Sequence, residues 1–100
     1  MISVVIPSFF SSELLEERIK EINNSFEIII IENSRDFNLK KNLETKYKNV
    51  KLIIPDKNIG YPAAFNLGIS LSTHQYIFLT QPDVKLIDNC RSEERRVGKE

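Results

Sequence analysis

Four isoleucines in succession, Ile28-Ile29-Ile30-Ile31, leave the chain little choice of fold. Side chains alternate between the two faces of a strand, so an unbroken β-branched run has no polar side to turn to water. A strand buried on both faces accommodates it, and such strands belong to parallel sheets covered by helices above and below. Three more apolar runs supply partners. Ile2 to Ile6 is closed by Pro7, and Val50 to Ile54 carries Lys51 inside it and Pro55 behind it. Tyr76-Ile77-Phe78-Leu79 stops before Pro82, which cannot donate to a ladder, and delivers Asp83 to its carboxyl end. The density of apolar residues in this last run predicts cover on both faces as well.

Helical spacing fills the gaps between the runs. Ser12 is positioned as an N-cap, after which Leu15, Ile19 and Ile22 recur at i, i+4 and i+7 among charged residues. Leu39, Leu43 and Tyr47 mark a second, solvent-facing helix, and Pro62 suits the first position of a third that reaches about Leu71. That helix is apolar on most sides, and Gly68 within it implies close packing against a strand. His74, beyond the helix end, is expected to be a solvated or dipole-facing imidazole. The order βαβαβαβ predicts an α/β, Rossmann-like, mostly parallel sheet with right-handed crossovers.

With 100 residues the chain is one domain at most. Lys plus Arg and Asp plus Glu both number 14, so no bulk field of either sign favours nucleic acid or an anionic membrane. The single cysteine, Cys90, excludes an internal disulfide framework. The amino terminus lacks a basic signal-peptide region, which leads to the expectation of a cytoplasmic protein, with a peripheral place at the inner membrane open to a longer form.

In an open parallel sheet, ligands bind outside the carboxyl ends of the strands. Polar groups follow each strand there: Ser8, then Glu32 and Asn33, then Asp56, then Gln81 and Asp83. Carboxylates that follow apolar strands are expected to be partly desolvated and suited to a metal or to ligand donors. No G-x-G-x-x-G follows the first strand, no P-loop is present, and no His, Cys and carboxylate set has zinc spacing.

Four segments together resemble family 2 glycosyltransferases of the GT-A fold, spanning nearly all of Ile2 to Asp88: Ile2 to Phe9, Glu32-Asn33-Ser34, Asn58 to Ile69, and Tyr76 to Val84. The resemblance implies the amino-terminal half of a GT-A domain, residues 1–89, binding a nucleotide-diphosphate sugar. Pro7, Ser8, Phe9, Glu32, Asn33, Asn58, Gly60, Asn66 and Gln81 would contact the donor, with Glu32 accepting from the base or ribose. Asp83 matches the last acid of the family's D-x-D-type motif and would hold Mg2+ or Mn2+. For Asn66 and Gly68, helix packing is an equal alternative to donor contact. Gln81 stands where that motif often has its first acid, Glu32 replaces the more usual Asp, and Phe65 lies where many members carry Arg.

The family's acceptor half, which supplies the general base for transfer to a glycan, lipid-linked or protein acceptor, follows the metal-binding strand. No catalytic residue is therefore expected in this stretch, and a truncated sheet would leave Tyr76 to Leu79 as an edge. Residues 90–100 are mostly charged without an apolar period and read as a solvated tail foreign to the domain. A non-catalytic α/β nucleotide-binding or interaction module is the alternative, suggested by Gln81, Phe65 and the short length.

Overall fold

The computed structural model describes residues 2–83, and the expectations for residues 84–88, Cys90 and the 90–100 segment lie outside them. Strands and helices alternate as β1 (Ile2–Ser8), α1 (Ser12–Glu21), β2 (Glu27–Glu32), α2 (Phe37–Lys46), β3 (Val50–Ile53), α3 (Gly60–Leu71) and β4 (Tyr76–Leu79). The strands form a parallel sheet in the order β3-β2-β1-β4. The first strand made is thus central, flanked by β2 and β4.

The isoleucine run divides between two cores. Ile28 and Ile30 join Val4, Ile6, Leu15, Ile19, Leu39 and Leu43 in the layer beneath α1 and α2. Ile29 and Ile31 face the other way, against Val5 and Ala64 of the α3 layer. All four are fully buried, worth roughly 1.5–3 kcal/mol each in gross transfer terms. Gly68 lets α3 lie close to the sheet: a Cβ there would overlap Val5 Cγ1 and come within 3.2 Å of Val5 Cγ2. Lys51, the apparent flaw in β3, occupies its exposed alternation and pairs with Glu27 at 2.7 Å.

Several local expectations are corrected. β1 does not close at Pro7 but runs through it to Ser8, with Pro7 opposite Ile31. The alternation explains this. Ser8 O accepts from Asn33 N on the β2 side and Val5 O from Thr80 N on the β4 side. Pro7 shares the parity of Val5, so its missing N–H faces the side where the β4 ladder, ending at Val5 and Leu79, has already stopped. Ser12 is the first helical residue rather than the cap. Ser11 precedes it without capping, its hydroxyl donating instead to Phe9 O at 2.9 Å. α3 begins at Gly60, two residues before Pro62. α2 has a cap the spacing did not reveal, the Asp36 side chain accepting from Leu39 N at 3.0 Å.

The cover expected over Tyr76 to Leu79 is also incomplete. β4 is an edge strand among the described residues; Tyr76 is 54% exposed and Ile77, Phe78 and Leu79 are half-buried. Ile69 and Leu71 of α3 are exposed as well.

Candidate functional site

Three connections meet at the carboxyl rim of the sheet, each bent by a residue with positive φ: Phe10 (52°), Arg35 (57°) and Gly60 (78°). After β1, Phe9 and Phe10 form an edge-to-face pair with centroids 4.6 Å apart, Phe10 largely in solvent. After β2, Glu32 turns back on its own chain: Oε2 accepts from both the amide, at 2.9 Å, and the hydroxyl of Ser34. Ser34 Oγ in turn accepts from Phe10 N at 3.1 Å, joining the first connection to the second. Arg35 joins the second to the third, donating from Nη1 to Pro55 O at 3.2 Å and Asp56 O at 2.9 Å, with its guanidinium 5.3 Å from the Phe37 ring centroid. Asn33 Oδ1 accepts from Ile59 N at 3.2 Å, and Asn58 Oδ1 from Gly60 N at 2.9 Å, which fastens the start of α3 to the same rim.

Within this frame several polar atoms have no partner. Ser8 Oγ, Glu32 Oε1, Asn33 Nδ2 and Thr80 Oγ1 are buried and unmatched, and each belongs to the last residue of a strand or the first beyond it. Among the described residues the only other buried side-chain atom in this condition is Arg18 Nε. An unmatched buried polar group costs about 1–3 kcal/mol, so a row of them along one rim is a natural place for a ligand to supply the missing bonds. The set offers an acceptor at Glu32, a donor at Asn33 and hydroxyls able to act either way.

The expected site residues do not all gather there. Ser8, Glu32 and Asn33 are adjacent, Ser8 lying opposite Glu32 in the ladder. Asn58 and Gly60 are tied to Asn33 through Ile59. Phe9 is 44% exposed at the rim, Pro7 is buried within β1, and Asn66 is exposed on α3, so helix packing does not account for it. Gln81 and Asp83 follow the last ladder bond of β4, Gln81 half-buried and Asp83 exposed. The expected desolvation after apolar strands therefore holds for Glu32 and fails for Asp83, which lies exposed beyond the buried Thr80 and Pro82. No group of three or more His, Cys, Asp or Glu side chains among the described residues could hold a metal unaided.

Two polar groups escaped the sequence reading. Thr80 ends an apolar run and sits where the run would continue. Arg18 falls between Leu15 and Ile22 on the same helical stripe, i+3 from one and i−4 from the other, a place its charge conceals; it is 5% exposed.

The opposite rim is the converse. Glu27 Oε1 accepts from Ser3 Oγ at 2.6 Å, Thr73 N at 3.1 Å and Thr73 Oγ1 at 3.2 Å, while Oε2 takes Lys51 Nζ. Burial is the largest single influence and pushes this carboxyl up, but the bonds from Lys51, Ser3 and Thr73 prevail and lower it to about 2. His74, expected in solvent or facing a helix dipole, is partly buried against the Ser3–Glu27 pair. Its Nδ1 lies 2.9 Å from Ser3 Oγ and 3.4 Å from Glu27 Oε1. Ser3 gives its one proton to Glu27, so Nδ1 is the donor toward Ser3, and the trio cannot work as a nucleophile with its base.

Alternating strands and helices around a parallel sheet make the chain α/β and Rossmann-like, and its likeness to solved structures matches the GT-A fold. The chain belongs to glycosyl transferase family 2, whose family model matches residues 3–90. Among solved structures it is similar to S. aureus TarS 1–349, at 17% identity and a TM-score of 0.72 over 88% of this chain and 29% of that one. The mannosyltransferase PcManGT from Pyrobaculum calidifontis, in complex with GDP-Man and Mn2+, gives 15% identity and a TM-score of 0.74, again over 88% and 29%. TarS 1–349 in complex with UDP gives 18% and 0.67 over 82% and 27%. The chain thus spans less than a third of each of these neighbours. A search of curated proteins returns no match.

Proposed function

We propose that the chain is the donor-binding part of a glycosyltransferase, holding a nucleotide-diphosphate sugar at the carboxyl rim for transfer to a glycan, lipid-linked or protein acceptor. The row of buried, unmatched polar atoms on Ser8, Glu32, Asn33 and Thr80 carries this reading. Glu32 Oε1 accepts a proton-bearing group of the base or ribose, Asn33 Nδ2 and Ser8 Oγ complete the contact, and the Pro7–Phe9 stretch, Asn58, Gly60, Asn66 and Gln81 border the donor. Its support is membership of the family, together with neighbours whose complexes contain GDP-Man with Mn2+ or UDP.

Asp83 and Gln81 fit a hard divalent ion as half of a site. One exposed carboxylate and one amide oxygen are oxygen donors of the kind Mg2+ and Mn2+ prefer, and diphosphate and water oxygens are the usual completion of such a set. The ion, when bound, stabilises negative charge on the diphosphate leaving group. Asp83 holds and orients it, and Gln81, having no charge, adds little affinity. The base that activates the acceptor is supplied from outside residues 1–89.

Thermal unfolding with UDP or GDP, each with and without Mn2+, tests the proposal. At a hundredfold excess over Kd a ligand adds about 2.7 kcal/mol, which in a domain of this size raises Tm on the order of 10 °C. The rise is expected only with the divalent ion and is lost in Asp83→Asn. A rise that needs no metal and survives Asp83→Asn refutes the metal role and favours a plain nucleotide-binding module, a reading suggested by the single carboxylate after β4. No rise with any nucleotide refutes donor binding.

A further inference from the structure

We infer that Arg18 is a positioning residue for Asp83, an inference that rests on the metal role proposed above. Arg18 is buried, and its guanidinium reaches from α1 to the end of β4, where Nη1 donates to Pro82 O at 3.4 Å. That carbonyl belongs to the peptide bond joining Pro82 to Asp83. Because a peptide group is planar, fixing its oxygen fixes the orientation of the Asp83 N–H and Cα together. Pro82 adds a locked φ immediately before it. The carboxylate itself stays in solvent, so its direction is set through the backbone rather than by side-chain packing.

The guanidinium is held from behind. Glu21 Oε2 lies 3.1 Å and Glu17 Oε1 3.3 Å from Nη2, which aims Nη1 across the helix–strand gap. A buried cation is costly, and neighbouring acids are the usual way to keep it charged. Two acids on the same helix suffice for that, and the reach to Pro82 is an additional contact. The helix carrying Arg18 starts directly after the Phe9–Phe10–Ser11 connection, whose Phe10 amide is bonded to Ser34. Through one rigid helix, the donor loop of β1 and the metal-bearing turn of β4 are held in a fixed relation.

The test is Mn2+ titration of the 100-residue chain at saturating UDP or GDP, whichever binds, with free Mn2+ read by electron paramagnetic resonance. Arg18→Met and Glu21→Gln are expected to raise the half-saturating Mn2+ concentration about tenfold and about threefold. Arg18→Lys, with a shorter reach and the same charge, is expected to fall between the parent and Arg18→Met. Should Arg18→Met fail to fold, Glu21→Gln and Arg18→Lys decide the matter. A merely structural role lowers Tm without moving the Mn2+ midpoint, and that result, with Asp83→Asn abolishing Mn2+ uptake, overturns the positioning role alone. Unchanged Mn2+ uptake in Asp83→Asn overturns the metal assignment and the positioning role with it.

Discussion

Gly68 sits in mid-helix, where glycine costs about 1 kcal/mol relative to alanine. The close approach of Val5 explains why it is there. Gly68→Ala would gain helix propensity but force a methyl group into a β-branched side chain of the central strand, and overpacking typically costs 1–3 kcal/mol. The clash wins because Val5 is itself fixed between two ladders. We expect a lower urea midpoint with an unchanged m-value, equivalent to a net loss of about 1 kcal/mol. Glu27 permits a prediction in pH. Its carboxyl lies at about 2 in the folded chain against an ordinary 4.5. The stability it contributes is complete above its unfolded pKa and is lost as pH falls through its folded one, on the order of 3 kcal/mol in all. Glu27→Gln is therefore expected to lower Tm clearly at pH 7, and the gap from the parent to close as both are titrated toward pH 2. A gap that stays constant with pH would remove the charge from the explanation.

At the scale of elements, β4 is an exposed flank among the described residues. An apolar edge with no lysine or proline in Tyr76 to Leu79 is a template for pairing with another chain. Tyr76→Lys places a charge at the most exposed position of the strand and is expected to suppress concentration-dependent light scattering at 37 °C while moving Tm by less than about 0.5 kcal/mol equivalent. The sequence showed each strand because apolar runs and their punctuation are local. Its apolar density overstated the cover of β4, since burial depends on what lies alongside, whereas the expectation that Tyr76 to Leu79 would be left as an edge holds among the described residues. Pro7 misled for a related reason: whether a missing N–H matters depends on which neighbour that residue faces. Arg18 was hidden by its charge, although its spacing from Leu15 and Ile22 marked it as part of the buried stripe.

Taken as one body, the molecule is polarised. At one end Glu27 has every oxygen satisfied by Ser3, Lys51 and Thr73; at the other, four buried polar atoms wait unmatched. The candidate rim was legible as a row of strand-end residues, since parallel topology carries Ser8, Glu32 and Asp83 to one side whatever their packing. Which of their atoms stay unpaired was not legible, because Ser34 claims one oxygen of Glu32 and leaves the other, a choice made by turn geometry.

The position of β1 also governs how the molecule comes into being. Ser3 meets a partner 71 residues later in His74, and its neighbouring strand β4 follows only after that. On a ribosome adding roughly 5–20 residues per second, the interval between Glu27 and Thr73 lasts several seconds. During that time the central strand, made before the other three, has one flank open. Synthesis order and assembly order run against each other here: the earliest-made of these four strands is the last to be enclosed.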